Sequence, residues 1–147
     1  MSESRNEQAG ECAPREPARK KIGRFEDLIA WQKARDLTAA IYRITREPPL
    51  SSDINLVEQM RRSALSVMSN IAEGFERSTP TEFSRFLSIA KASCAEIRSQ
   101  LYAAADVGHL SSERFKVVLS QAEESARVLG GLKAAVLKHR RSERKRP

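Results

Sequence analysis

Four stretches of this chain carry apolar residues at spacings of three and four, and no strand-like alternation competes with them, so its apolar side chains are buried by packing amphipathic helices together. The first stretch runs from about Asp27 to Arg46, with Leu28, Trp31, Ala34, Leu37, Ile41 and Ile44 on one face. Glu47-Pro48-Pro49 ends it, because the residue before a proline is pushed out of the helical region and proline has no amide hydrogen to continue the ladder. Ser51 or Ser52 then caps a second helix, extending to about Arg77 with Val57, Met60, Ala64, Val67, Met68, Ile71 and Phe75 as its stripe. Thr79-Pro80-Thr81-Glu82 combines an N-cap threonine, proline at the first helical position and glutamate three residues after the cap, the strongest local signal in the chain. The third helix carries Phe83, Phe86, Leu87, Ala90, Cys94, Ile97, Leu101 and Ala104, and stops near Gly108, a residue suited to a left-handed cap. Ser111 or Ser112 opens a fourth, with Phe115, Val118, Leu119, Ala122, Leu129, Leu132, Val136 and Leu137 pointing inward. The architecture expected over residues 25–137 is all-α, an antiparallel up-down-up-down four-helix bundle. Gly130-Gly131 inside the fourth helix costs about 1 kcal/mol per glycine against alanine, which predicts close helix packing or a bend there, with local fraying as the alternative.

A length of 147 residues suits one domain, and with only eight aromatic residues the core is left to Leu, Ile, Val, Ala and Met. Two cysteines, Cys12 and Cys94, make no disulfide framework, and two histidines, His109 and His139, leave too few ligands for a zinc site. No apolar run approaches the roughly 18 to 20 residues that cross a bilayer, and the first residues lack the apolar stretch of a signal peptide. A soluble, cytoplasmic setting with no membrane partner is the expectation.

The formal net charge is +7, and its distribution says more than its total. Residues 1–24 carry +2, the stretch 25–132 carries −1, and residues 133–147 carry +6. The lead-in 1–24 is rich in Glu, Arg, Pro, Ala and Ser with almost nothing to bury, which reads as a disordered segment. The ending 138–147 is a basic tail of the kind that touches phosphates, or else a solvated helix end whose cations suit the helix dipole. Candidate phosphate contacts are Arg140, Arg141, Arg144, Lys145 and Arg146, with Lys20, Lys21 and Arg24 in the lead-in and the adjacent Arg61 and Arg62 in the second helix. Neither tail interleaves aromatic residues among its cations, which argues against base-specific recognition.

On the second helix, Gln59, Ser63, Ser66, Asn70, Glu73 and Arg77 recur at spacings of four, three, four, three and four. At about 100° per residue these six fall within roughly 80° of one another, a polar seam of mostly small side chains. Such a line predicts close approach of another helix, inside the bundle or across a subunit interface, with Glu73 accepting hydrogen bonds across that contact; a plain exposed face is the bland alternative.

Catalytic chemistry finds little support in the residues. Di-metal carboxylate bundles use paired Glu-x-x-His motifs, and the nearest approach here, Asp106-Val107-Gly108-His109, straddles a helix end and has no second copy. Cys94 falls on an apolar stripe as a small core residue, and no glycine-rich phosphate loop is present. No enzyme activity, metal or cofactor is expected.

Phe25 with Asp27-Leu28, Trp31-Gln32-Lys33-Ala34, Asn70-Ile71-Ala72-Glu73-Gly74, Glu82-Phe83 with Arg85-Phe86-Leu87, and Ala90 with Ser93 and Glu96 together resemble the family named after proteins encoded in intervening sequences of bacterial 23S ribosomal RNA genes. The resemblance spans about residues 25–132, with Val67-Met68 where isoleucine is usual and both tails outside it. It implies a four-helix bundle that assembles with itself, as ring-shaped pentamers do among its relatives. The family also looks like the accessory variability protein of diversity-generating retroelements, which implies RNA or DNA as a partner and an enzyme acting on nucleic acid as another. The alternative is a protein-binding scaffold with no nucleic-acid contact.

Overall fold

The computed structural model describes residues 22–147. A 3-10 turn at Phe25–Asp27 leads into α1 (Ile29–Thr45), and a second at Leu50–Ser52 leads into α2 (Ile54–Glu76). The remaining helices are α3 (Pro80–Asp106) and α4 (Ser112–Arg144), and the described residues contain no strand.

The breaks form where cap chemistry placed them, with one change. Thr79 Oγ1 accepts from the Glu82 amide at 3.2 Å and Ser111 Oγ from the Arg114 amide at 3.3 Å. Past α3, Gly108 takes φ +78°, while its amide and that of His109 donate to the Ala105 and Ala104 carbonyls, the paired bonds of a glycine C-cap. At the start of α2 the cap is Asp53, not Ser51 or Ser52. Those serines are held in the 3-10 turn that buries Leu50, and Asp53 Oδ1 accepts from the Leu56 amide at 3.2 Å.

One apolar core runs the length of the bundle, with Leu37, Ile41, Met60, Ile71, Leu87, Ile97, Leu101 and Leu129 at its centre. Contacts between helices pair in opposite numerical order. Residues 38 and 45 meet 64 and 61, residues 59, 63 and 66 meet 100, 96 and 93, and residues 33 and 47 meet 124 and 114. The start of α1, the α2–α3 connection and the last turns of α4 consequently share one end of the molecule, where Ile22, Leu28, Phe75, Phe83, Leu132 and Val136 line an apolar groove of about 470 Å³.

Gly130 and Gly131 make no close contact. A Cβ at Gly130 would meet only the tip of Lys91 at 3.7 Å, one at Gly131 would meet nothing within 4 Å, and α4 passes through the pair as one helix. Nothing in the structure explains the two glycines. The close approach is at Gly74 of α2, where a Cβ would fall 2.6 Å from Phe86 Cβ on α3.

Candidate nucleic-acid interface

With 33 residues α4 is the longest helix, and it continues through the basic residues to Arg144. Residues 138–147 are exposed apart from Arg140, which is partly covered. Arg140, Arg141 and Arg144 rim a hollow of about 150 Å³ whose only other lining residue among the described ones is Leu137, so on this face α4 meets no other described helix. The one carboxylate in the stretch, Glu143, lies 3.1 Å from His139 Nε2. No carboxylate among the described residues comes within ion-pair distance of Arg140, Arg141, Arg144, Lys145 or Arg146. Among the described residues their charge is thus left without a paired carboxylate, with Arg140, Arg141 and Arg144 on the helix itself.

The other candidate cations do not join this tip. Arg61 packs its guanidinium over the Tyr42 ring at 4.6 Å and donates from Nε to Thr45 Oγ1 at 2.9 Å, which holds it on α1. Arg62 is exposed beside it. Arg24 Nε sits 3.3 Å from Glu26 and 3.7 Å from Asp27, carboxylates of its own turn. Lys20 and Lys21 lie outside the described residues.

The polar seam of α2 meets α3 within the same chain. Ser63 Oγ donates to Glu96 Oε2 at 3.0 Å and accepts from Gln100 Nε2 at 3.0 Å, and Gln100 also reaches the Gln59 carbonyl. Ser66 and Ser93 share a hydrogen bond of 2.8 Å, and Asn70 Nδ2 donates back to Ser66. Glu73 does not accept across the contact. Its carboxylate accepts from Arg77 of its own helix at 3.0 Å, with both side chains about half exposed, while Arg77 lies over the Phe86 ring at 5.0 Å. Glu73 sits at the outer edge of the seam, where a cation four residues on is its nearest partner. The carboxylate that does accept across the contact is Glu96, whose spacing of three from Ser93 on α3 was the available signal.

Cys94 is fully buried, and burial pushes its thiol up to about 11, an effect the Arg98 charge partly offsets. A thiol so placed stays protonated and inert. Among the described residues no group of three His, Cys, Asp or Glu side chains is placed to hold a metal ion, and no helix is long and apolar enough to cross a membrane.

These features define a class: a four-helix bundle stitched between α2 and α3 by small polar side chains, with one helix prolonged into a basic tip. The family model for 23S rRNA-intervening sequence proteins matches residues 26–131, and the chain belongs to this family. A crystal structure of a protein of unknown function from the S23 ribosomal protein family of Bacteroides thetaiotaomicron is similar at 18% identity, covering 71% of this chain and 98% of that one with a TM-score of 0.66, a likeness of fold. No curated protein matches the chain. The family match ends before the basic tip begins.

Proposed function

We propose that the chain is a non-catalytic, cytoplasmic protein that assembles with itself, most simply as a pentamer, and binds nucleic acid through the phosphate backbone without sequence preference, as an accessory to an enzyme that acts on nucleic acid. RNA is the first candidate ligand. The observation that carries this reading is the α4 tip, where Arg140, Arg141, Arg144, Lys145 and Arg146 have no carboxylate partner among the described residues. Binding of this kind gains affinity by releasing counterions from the phosphates. Self-association would repeat the tip in every copy and convert weak single contacts into avidity. Exposed apolar side chains, among them Ile29, Ile54 and Val117, are surface that assembly would cover.

Fluorescence anisotropy with a labelled RNA tests the reading, using the full chain and a version ending at Leu137, with the assembled mass measured on the same samples. Ending there preserves the packing of Leu132 and Val136. Binding by the full chain that weakens steeply with salt and is lost in the shortened chain supports the proposal. No binding by an assembled full-length protein overturns it. The apolar groove between Leu28, Phe75, Phe83 and Val136 favours the second reading, a scaffold for a protein partner, whose binding would tolerate salt.

A further inference from the structure

We infer that the α4 tip takes double-helical nucleic acid in preference to single strands, clamping its phosphates with Arg140, Arg141 and Arg144; this rests on the proposed nucleic-acid reading and names the form of the ligand.

The tip presents its charges on a regular helix. At about 1.5 Å rise and 100° per residue, Arg140 and Arg144 stand roughly 6 Å apart along the axis, and all three arginines fall within about 100° of one another. They accordingly rim one hollow with Leu137. Each guanidinium is a planar fork of N–H donors that matches phosphate oxygens, and holding three of them on one helical turn lowers the ordering cost of binding a rigid row of phosphates.

What the tip lacks is as informative. Proteins that prefer single strands draw about 1–3 kcal/mol per base from stacking on aromatic rings. Residues 133–147 contain no Phe, Tyr or Trp, and the one ring among them, the His139 imidazole, is paired with Glu143 at 3.1 Å. The rings at this end are already engaged: Phe75 and Phe83 are half-buried and stacked edge to face on each other at 6.0 Å, Phe86 lies under Arg77, and Phe25 packs edge to face on Trp31 at 5.2 Å with Arg35 over the indole. Tyr102, the exposed aromatic, packs on Phe115 near the α3–α4 connection, at the other end of the bundle. Binding then rests on phosphates alone. Duplexes carry one phosphate charge per 1.7 Å or so of axis, about twice the density of either strand, and release about 0.9 counterion per phosphate neutralised against about 0.7 for a single strand. A site with cations and no stacking platform therefore favours the duplex. RNA and DNA duplexes share this chemistry and are separate arms of the test.

The full chain is titrated over one shared series of salt concentrations against an RNA duplex and a DNA duplex of about twenty base pairs, and against unstructured oligo(U) and oligo(dT) of the same length. The expected result is duplex affinity at least about fivefold above that for either single strand, with both duplexes alike if the phosphates alone are read. Replacing Arg140, Arg141 and Arg144 together by Gln, with helicity and melting checked on the same samples, should weaken duplex binding by tenfold or more and reduce the salt slope by about 3 per bound chain. Single strands bound as tightly as duplexes overturn the inference while leaving the nucleic-acid reading intact. Absence of binding to all four probes ends both. A duplex preference that survives the triple substitution also overturns the inference, because the discriminating surface then lies elsewhere.

Discussion

A methyl group added at Gly74 would sit 2.6 Å from Phe86 Cβ and 3.1 Å from the Phe83 ring, closer than packed carbons approach, so glycine is a condition of the α2–α3 contact there. Gly74→Ala should cost about 1–3 kcal/mol in urea unfolding, although alanine is the better helix former; a stabilised variant would refute the packing account. Ser125 is the opposite case. It is 1% exposed on α4 and its hydroxyl has no partner among the described residues, so Ser125→Ala should raise stability by about 1 kcal/mol, read by the same unfolding measurement. Cys94 supplies a pH dependence. Its buried thiol ionises at about 11 and an unfolded thiol near 9, so above pH 9 the unfolded chain loses its proton first. Stability should fall between about pH 9 and 11 by roughly 2–3 kcal/mol more in the natural chain than in Cys94→Ala, and equal losses would show that burial does not hold the thiol protonated. Periodicity alone placed Cys94 in the core. It gave no hint that Gly74 rather than Gly130-Gly131 is the glycine that packing requires, because a missing Cβ is informative only once the neighbour is known.

Among the elements, the contact between α1 and α2 turns on Arg61, which bridges Tyr42 and Thr45 across the two helices. Arg61→Ala should lower stability by about 1–2 kcal/mol through the lost ring contact and hydrogen bond, and leave nucleic-acid affinity unchanged in the anisotropy titration. A large loss of affinity with intact stability would return Arg61 to the binding surface. The contact between α2 and α3 is built differently, from hydrogen bonds among Ser63, Ser66, Ser93, Glu96 and Gln100. The line of small polar residues on α2 was visible as a pattern, and so was its need for a neighbouring helix. That α3 of the same chain supplies the partners, and that Glu96 replaces Glu73 as acceptor, depends on the rotation of α3 about its axis.

At the scale of the molecule, α4 outruns its neighbours, and among the described residues the hollow rimmed by Arg140, Arg141 and Arg144 is lined by α4 alone. Removing residues 138–147 should therefore shift the melting midpoint by less than about 2 °C, under about 1 kcal/mol, and a larger drop would show that the tip supports the fold. The four helices, the Thr79 cap, the Gly108 stop and nearly all of the buried face follow from residues within a turn or two of one another. Helical periodicity and cap hydrogen bonds are short-range and need no knowledge of the rest of the chain. Partners such as Ser63 and Glu96, 33 residues apart, or Asp53 and His109, 56 apart, are joined by the way the helices pack, as is the apolar end groove. Those pairings, and the projection of three arginines beyond the last supporting helix, come from axial rotation and relative helix length in three dimensions, quantities on which the spacing of residues along one helix places no constraint.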